Sequence, residues 1–491
     1  MRQLFLWHRW FGIGLCIFMT LWFISGIVML FIGYPKLTPT EHLNALPELS
    51  ITSSYIDVDV AQFNSGQTIE PIKITLSSIA GEPFYLFKYP KLATIAVNAL
   101  SGERIVNINQ QQALKSARAF YDDPESRYIK LIDKDAWTQS TGLDDERPLH
   151  VVKINDTAQR LLYISSHNGQ IVRDATLNER SWGWVGAWLH WIYPVRSMPW
   201  WADMIIYLSL VATLMSLIGQ FLGIKRWRFS TKYRSGSHSP YHQGFARWHH
   251  IFGLLFGFIL IAWIFSGLMS MKPWNILASQ SELPVKNFQD GALSDINSPW
   301  STTELLVKLS ENSFYTKELS WHKLDGQFWL TAYDGQGQTR VIPLFGSADV
   351  SREIPLKVVL NGLKNIAPIS TINYEWVNKY DFYYFSREEQ SMYGSRSRPL
   401  PILRVKFSDP AKTWLHIDPA SGTILANIDQ RQRLNRWLFN LLHSWDWHIL
   451  LEMPLLRELL IIAFSLGGLT ISISGIVLGW RRVRRKIHIA T

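Results

Sequence analysis

Residues 4–31 read LFLWHRWFGIGLCIFMTLWFISGIVMLF, and residues 247–271 read RWHHIFGLLFGFILIAWIFSGLMSM. Each stretch is long enough for a helix that crosses about 30 Å of hydrocarbon, which takes about 20 apolar residues. Each also carries a histidine close to its start, His8 in the first and His249 in the second. Together they predict a helical membrane protein whose two halves resemble each other.

The composition agrees with a membrane protein. The chain has 491 residues, of which 47% are hydrophobic and 23 are tryptophan, and this is a high apolar content for a soluble enzyme. No small-x-small cleavage site follows the first apolar stretch, so we expect an anchor that is retained. The only cysteine, Cys16, lies in this stretch, and no disulfide framework is expected elsewhere. Four spans are predicted, over residues 11–33, 200–223, 251–271 and 455–480.

Lysine and arginine residues next to the spans predict the orientation, because short basic loops stay in the cytoplasm. Basic residues precede the first span, fill the loop between the second and third, and follow the fourth. We therefore expect both termini in the cytoplasm, with the chain crossing the membrane several times. The polar segments 34–180 and 272–432 then lie on the outer side. The formal charge of +10 follows from this topology, so nucleic-acid binding is not expected.

An internal duplication organises the whole chain. Trp7, His8, Phe11, Gly12, Ser25 and Gly26 recur with the same spacing as Trp248, His249, Phe252, Gly253, Ser266 and Gly267. The predicted order is a first span (1–33), a polar domain (34–180), a His-bearing helix with the second span (181–228), a cytoplasmic loop (229–246), a third span (247–271), a second polar domain (272–432), and a His-bearing helix with the fourth span and a basic tail (433–491).

The polar segments have the patterns of small α+β domains. Alternating apolar residues flank Ser-Gly turns in TIAVNALSGERIV (94–106) and TWLHIDPASGTILA (413–426), which is typical of hairpins. The segments NQQQALKSARAFYD (109–122) and PLKVVLNGLKNIA (355–367) have helical spacing instead. Each polar domain is therefore expected to contain an antiparallel sheet and one or two helices.

Four histidines occupy matched positions of the repeat. His8 and His249 are expected near the cytoplasmic face, and His190 and His443 near the periplasmic face. If the halves are related by an axis along the membrane normal, matched residues face each other across it. Two facing imidazoles are the axial ligands of a b-type haem, so two haems are predicted, and the absence of CxxCH excludes covalent c-type attachment.

Two alternatives stay open for these histidines. A histidine at a helix end is commonly an interfacial or capping residue, and the matched glycines serve helix packing as readily as they make room for a porphyrin. His250 follows His249 and His448 lies close to His443, so either neighbour could replace a proposed ligand.

Several segments carry a resemblance to a known family. These are LWHRWFGI from Leu6, RWHHIFGL from Arg247, YDFYYFSREEQ from Tyr380, RPLPILRVKF from Arg398, HIDPASGTIL from His416 and RWLFNLLHSWDW from Arg436. With them the chain resembles the PepSY-associated transmembrane proteins, and among these the ferrisiderophore reductases of bacterial inner membranes. The resemblance implies an integral membrane α-helical fold with four spans and two α+β PepSY-like periplasmic domains, haem b between the helices, and reduction of a ferric siderophore outside the cytoplasm.

The expected enzyme is thus an oxidoreductase that passes electrons to a ferric chelate. Chelators with hard oxygen donors hold iron(III) better than iron(II), so reduction releases the metal. No dinucleotide or flavin motif is present, so the donor is expected to be a quinol or a separate reductase. Candidate substrate-binding residues are aromatic and basic: Trp376, Tyr380, Tyr383, Tyr384, Arg396, Arg398 and Arg147.

Arg147 and Arg398 are the two of these that recur, in RPLHVVKI and RPLPILRV, and they could equally pair with haem propionates. No separate catalytic side chain is assigned. The main alternative function is a haem-free, membrane-anchored PepSY module that acts on a periplasmic protein or peptidase. A transporter is a poor interpretation, because the four spans provide no charged path at the middle of the membrane. A zinc enzyme is not expected, because the sequence contains no HExxH motif.

Overall fold

The computed structural model describes residues 1–289, 293, 296, 298–387 and 398–490. Four of its helices are long and apolar enough to cross a membrane, as predicted. The first and third begin several residues earlier than the predicted spans, at Arg2 and Phe245, so His8 and His249 lie inside helices. In chain order the α-helices are α1 (Arg2–Phe31), α2 (Pro39–Ala45), α3 (Val58–Asn64), α4 (Gln110–Tyr121), α5 (Leu177–Gly183), α6 (Trp201–Arg226), α7 (Phe245–Ser270), α8 (Thr302–Glu311), α9 (Leu356–Lys364), α10 (Gln430–Asn435), α11 (Leu442–Ser444), α12 (His448–Glu452) and α13 (Pro454–Ala490).

The long helices α1, α6, α7 and α13 form one bundle. Helix α1 packs on α13 and α6, and α7 packs on the same two helices. Apolar side chains at mid-height fill the centre of the bundle, including Leu15, Met19, Leu260 and Ile471. Since α1 matches α7 and α6 matches α13 in the repeat, the bundle has an approximate two-fold axis along its length.

Fourteen strands form three antiparallel sheets in the described part of the chain, and their order repeats as well. A four-stranded sheet in each half has the order β4-β5-β6-β7 or β11-β12-β13-β14. The strands are β1 (Lys73–Ile79), β2 (Glu82–Lys88), β3 (Ile95–Asn98), β4 (Arg127–Ile132), β5 (Leu149–Lys153), β6 (Leu161–Ser165), β7 (Ile171–Ala175), β8 (Glu318–Leu324), β9 (Gln327–Tyr333), β10 (Thr339–Pro343), β11 (Ile372–Val377), β12 (Ile402–Phe407), β13 (Trp414–Ile417) and β14 (Ile424–Ile428).

The third sheet is shared by the two polar segments. Its order is β10-β9-β8-β1-β2-β3, so the strands of the first half meet those of the second at β1 and β8. In this antiparallel pair Ile74 lies opposite Trp321 and Leu76 lies opposite Leu319. All four side chains are buried. The pairing covers what would otherwise be an exposed sheet edge on each segment, and it joins the two segments by backbone hydrogen bonds.

The strand register corrects one part of the sequence alignment. His150 on β5 pairs with Ile164, and Leu403 on β12 pairs with Ile417, the repeat partner of Ile164. His150 and Leu403 are therefore equivalent positions of the repeat. Three residues earlier, Arg147 is equivalent to Leu400 and not to Arg398. A shift of two residues keeps every side chain on the same face of a strand, so alternation alone did not reveal it.

Candidate cofactor sites

The two His-bearing segments are built alike in both halves. Thr176 caps the N-terminus of α5 and Asp429 caps that of α10, each in a reciprocal capping box with the residue three positions on. Both helices continue as a π-helix, Trp184–Trp188 in the first half and Arg436–Leu441 in the second. Single π turns are rare and occur frequently at functional sites.

Each segment ends in a left-handed residue two positions after its histidine. Ile192 has a φ of 51° and Trp445 a φ of 56°. A branched or bulky side chain in this region is unfavourable, so the surrounding packing must hold both residues there. The result is that His190 and His443 are presented from the last turn of a short helix, with the long helices α6 and α13 starting just beyond.

These two histidines face each other at the end of the bundle next to the sheets, which we call the proximal site. The centres of the His190 and His443 rings are 6.1 Å apart. Both rings border the same cavity, of about 280 Å³. Burial is the main cause that lowers the pKa of His190 to about 3 and that of His443 to about 4. Both imidazoles are therefore neutral at neutral pH, the form that ligates metals.

A serine fixes the tautomer of His190. The Ser25 hydroxyl lies 2.7 Å from the carbonyl oxygen of Leu21, to which it donates its proton, and 3.0 Å from Nδ1 of His190. Having given its only hydrogen to the carbonyl, the hydroxyl must accept a hydrogen bond from His190 Nδ1–H. The lone pair of His190 therefore resides on Nε2. We find no protein hydrogen bond to this nitrogen in the described residues.

The second half repeats the arrangement with Ser266. Its hydroxyl donates to the carbonyl of Trp263 at 2.9 Å and lies 3.0 Å from Nδ1 of His443. Two tryptophans add a matched bond, since Trp22 Nε1–H donates to the backbone carbonyl of His190 and Trp263 Nε1–H to that of His443. Backbone and ring are thus both held in each half.

His8 and His249 form the second pair, at the opposite end of the bundle, which we call the distal site. Their ring centres are 6.2 Å apart. Nδ1 of His8 donates to the carbonyl of Met215 at 3.1 Å, and Nδ1 of His249 donates to that of Ile471 at 3.0 Å. The carbonyls accept only, so both histidines again keep the lone pair on Nε2. A cavity of about 400 Å³ lies between them.

Each of the four imidazoles packs against a glycine. A methyl group at Gly26 would lie 3.7 Å from the His190 ring, and one at Gly267 would lie 3.9 Å from the His443 ring. At the distal site a methyl group at Gly219 would come within 2.5 Å of the His8 ring, and one at Gly475 within 3.5 Å of the His249 ring. Each imidazole therefore packs on a helix of its own half at a place without a side chain.

The spacing of the rings suits a metal ion between the two imidazoles. Metal–nitrogen bonds of about 2 Å, with each nitrogen about 1 Å from its ring centre, separate the two centres by about 6 Å. In the described residues no group of three or more His, Cys, Asp or Glu side chains is placed to hold a metal. Two protein ligands alone do not complete a tetrahedral zinc site. They do complete the axial positions of a haem iron, whose other four ligands come from the porphyrin.

The distal cavity also fits the flat ring and acidic edge of a haem. Gly12 and Gly253 are a matched pair that borders it, and nothing lies within 4 Å of where their side chains would begin. The matched arginines Arg226 and Arg482 border the same cavity, and Arg9 adds a third guanidinium. A matched pair of arginines suits a ligand with two carboxylates, because each guanidinium binds a carboxylate with two hydrogen bonds.

Met19 connects the two sites, because its side chain borders both cavities. It is buried at mid-height of α1. Ser25 and His8 are 17 residues apart on the same helix, which is an axial rise of about 26 Å. The two sites thus lie near opposite ends of the bundle with one layer of apolar side chains between the cavities.

The neighbouring histidines are not placed as ligands of these pairs. Both ring nitrogens of His250 are engaged, Nδ1 with the Ser239 hydroxyl at 2.8 Å and Nε2 with the Gly223 carbonyl at 2.9 Å. His448 is exposed and lies 3.5 Å from Glu452. The structure therefore pairs His249 with His8 and His443 with His190.

Of the predicted substrate residues of the second half, Tyr380, Tyr384 and Arg398 contact one another, while Trp376 and Tyr383 have other neighbours. Trp376 lies exposed on β11, and Tyr380 donates its hydroxyl proton to the Arg398 carbonyl. Tyr383 accepts a hydrogen bond from Trp437, while Tyr384 is fully buried and bonded to the Pro399 carbonyl. The Arg398 guanidinium lies 5.5 Å from the Tyr384 ring. Arg396 lies outside the described residues.

None of these described side chains borders the proximal cavity. Trp376, Tyr380, Tyr384 and Arg398 surround one another or the sheet, and Tyr384 has no exposed surface with which to contact a substrate. Their aromatic and basic composition alone could not distinguish a binding surface from the packing of a small domain.

Arg147 is engaged within its own domain. Its Nε lies 2.9 Å from Asp144, and its two terminal nitrogens donate to the carbonyls of Asp133, Thr138 and Ser140. The side chain is buried and holds the loop before β5. It borders neither histidine cavity.

The site contains residues that the sequence interpretation did not assign. Ser25 and Ser266 were visible as repeat matches, but only the structure shows their bonds to histidine. Gly219 and Gly475, and likewise Arg226 and Arg482, occupy matched positions of α6 and α13. No protein-family model matches the chain, and no curated protein matches it. The functional interpretation therefore depends on the geometry of the two sites.

Proposed function

We propose that the protein is an inner-membrane b-type cytochrome with two haems that passes electrons to a periplasmic ferric siderophore and releases iron(II). The observation that supports it most is the pair of matched histidine couples, with ring centres 6.1 and 6.2 Å apart. In this proposal the four apolar helices cross the membrane and the sheets lie in the periplasm. His190 and His443 would hold the periplasmic haem, and His8 and His249 the cytoplasmic one.

Haem iron supplies reversible one-electron chemistry, and reduction of a ferric chelate takes one electron for each iron(III). The protein's residues position the metal and exclude other chemistry. Two imidazoles on one iron leave no open position for oxygen, which suits electron transfer. Ser25, Ser266 and the carbonyls of Met215 and Ile471 orient the four rings through Nδ1, and such partners also raise the basicity of the ligand nitrogen.

The electron donor in this proposal is a quinol or a separate reductase protein that reaches the cytoplasmic or membrane-embedded side. The distal cavity, with its three arginines, would be the entry site, and the proximal site beneath the sheets would be the exit. Met19, which borders both cavities, lies on the path between them.

The visible spectrum of the purified protein tests the proposal. We expect two b-type haems per chain by pyridine haemochrome, with low-spin bands after reduction with dithionite. The variants His8→Ala and His190→Ala should each keep one haem, and the double variant none, while His448→Ala should keep both because His448 is exposed. The haem that remains in each single variant shows that the protein still folds.

Transfer to a chelate is measured next. The dithionite-reduced protein, freed of excess reductant, should be reoxidised by ferric siderophore, with one iron(II) trapped by ferrozine for each electron lost. A colourless protein from haem-replete cells would contradict the reductase proposal and favour the haem-free PepSY module.

A further inference from the structure

The lining of the proximal cavity has a symmetric part and a one-sided part. The symmetric part includes matched residues from the two halves: Gly26 and Gly267, Trp22 and Trp263, Ile205 and Ile461, and Ser209 and Ser465, together with the two histidines. The one-sided part includes Trp191, Tyr193, Arg196 and Trp201 of the first half. We call these four residues the aromatic rim. Of their matched positions in the second half, only Ser444, which corresponds to Trp191, borders the cavity.

Arg196 is the only charged side chain among the described residues that border this cavity. The segment that contains it, residues 190–200, reads HWIYPVRSMPW, whereas the second half has HSWDWHILLEM at 443–453 and no arginine. In place of Tyr193 the second half has Asp446, which is buried between Arg387 and Arg436. The rim is therefore specific to one side of the site.

The guanidinium of Arg196 lies against two aromatic rings. Its central carbon lies 4.7 Å from the centre of the Tyr193 ring and 4.6 Å from that of Trp201. Cation–π contacts of this kind use the face of the planar group and do not engage its N–H donors. No carboxylate forms an ion pair with Arg196 in the described part of the chain, so these donors are available to a ligand.

Other contacts hold the two rings in place. Trp201 Nε1–H donates to the Trp191 carbonyl at 3.0 Å. Tyr193 packs edge-on against Tyr34 at 5.8 Å and against Trp188 at the same distance. A guanidinium fixed in this way loses little conformational freedom when it binds a planar partner.

The distal cavity shows the contrast. There two matched arginines, Arg226 and Arg482, suit a ligand with two-fold symmetry and two carboxylates. The proximal cavity has matched residues around the histidines but a single arginine on one side. A ligand that contacts Arg196 thus meets a single guanidinium, on one side of the two-fold axis.

We infer that Arg196 and the aromatic rim form a binding site for a planar oxyanion at the proximal cavity, and that this oxyanion belongs to an anionic ferric chelate. The inference rests on the proposed function, since it names the substrate class of that same site. Catecholate and carboxylate oxygens offer the chemistry that the guanidinium edge recognises. A carboxylate of the cofactor would offer the same chemistry, and the experiment separates these two sources.

The test compares Arg196→Gln and Arg196→Lys with the parent protein in detergent, with Arg118→Gln as the control. Arg118 is exposed on α4 and does not border the cavity, and its replacement makes the same change of charge. Quenching of tryptophan fluorescence reports binding of two probes, the trianionic iron(III) complex of a tris-catechol and the cationic ferrioxamine B. Haem content and thermal unfolding are measured on the same samples.

We expect Arg196→Gln to weaken binding of the trianionic complex about tenfold or more, the loss of a charge-assisted pair, and to change ferrioxamine B affinity less than twofold. Arg196→Lys keeps the charge but not the planar fork, so it should recover only part of the affinity. Haem content should stay at the parent level.

If Arg196→Gln loses one haem and its affinity for the chelate is unchanged, the assignment to the chelate is overturned. Arg196 would then bind a carboxylate of the cofactor. Unchanged haem content and unchanged affinity for both probes would overturn the oxyanion site altogether. A parent protein without haem would refute the proposed function separately, because the tris-catechol titration can be made without it.

Discussion

Ser25 and Ser266 show how single residues determine the chemistry of the proximal site. Each hydroxyl gives its hydrogen to a backbone carbonyl one turn earlier and can then only accept from histidine. The tautomer of His190 and His443 follows from this without any further assumption. The repeat in the sequence identified all four histidines, but a serine at a helical spacing has no pattern that predicts which side chain it will meet.

Removal of these hydroxyls should weaken cofactor retention. We expect Ser25→Ala or Ser266→Ala to raise the dissociation constant of the proximal haem 10–100-fold, the usual cost of losing a partner behind a ligand, while the distal haem stays bound. Transfer of haem to apomyoglobin measures the effect. Ser465→Ala is the matched control, since Ser465 borders the same cavity without a hydrogen bond to either histidine in the described structure. Equal haem loss from all three variants would contradict this role.

Asp174 on β7 gives the sheet-containing region of the first half a pH dependence. The side chain is 4% exposed and lies 2.9 Å from Arg160, and burial raises its pKa to about 6. The folded protein thus favours the protonated acid, so its stabilising contribution is complete below about pH 4 and is lost as the pH rises through 6. The loss can reach about 3 kcal/mol.

The variant Asp174→Asn should remove this dependence, because asparagine does not titrate. Thermal unfolding between pH 4 and 7 measures it: the parent should lose stability over this range relative to Asp174→Asn. Asp59→Asn, at an exposed position on α3, should behave like the parent. A parent curve parallel to that of Asp174→Asn would show that Asp174 is ionised throughout.

At the scale of elements, the bundle and the His-bearing segments contribute in different ways. The four long helices could be predicted from apolar length, and α4, α9 and the β13–β14 hairpin from periodicity and turn residues. The π-helices before His190 and His443 could not, because one additional residue per turn leaves no signal in a short apolar sequence. Both π-helices are in tertiary contact with a long helix, Trp184–Trp188 with α1 and Arg436–Leu441 with α7.

The His8 ring lies where α6 packs closely on α1, against Gly219 of α6. A methyl group at Gly219 would lie 2.5 Å from the His8 ring, so Gly219→Ala should displace the imidazole and abolish the distal haem while the proximal haem remains. Gly14→Ala on α1 is the control, since nothing lies within 4 Å of that position. The control should keep both haems and gain up to about 1 kcal/mol in helix stability. Retention of both haems in Gly219→Ala would mean that the ring can move without loss of ligation.

At the scale of the whole molecule, each site is completed by one histidine from each half, and the sheet centred on β1 and β8 joins the halves outside the bundle. The duplication could be read from the sequence, and with it the facing of matched residues. The shared sheet could not be predicted, because the choice of partner for β1 depends on strands that lie more than 200 residues apart and have similar alternation.

Separation of the halves tests this organisation. A chain cut between Ser235 and Gly236 should reassemble when residues 1–235 and 236–491 are expressed together, and the complex should carry both haems. Either half expressed alone should bind none, since it has only one histidine of each pair. Affinity purification through one half and a visible spectrum of the eluate measure the result. Haem on an isolated half would contradict the arrangement, provided that the half is shown to be monomeric.

The matched histidine pairs are also relevant to the evolutionary origin of the duplicated chain. A half-length progenitor with one such histidine at each end would complete its two sites only by pairing with a second copy of itself in a closed two-fold dimer. In such a dimer every substitution appears twice. Fusion of the two copies into one gene releases this constraint, so that Arg196 can be present on one side of the axis and absent from the other. The fused chain can thereby keep a symmetric pocket around the histidines and carry a rim on one side of it only.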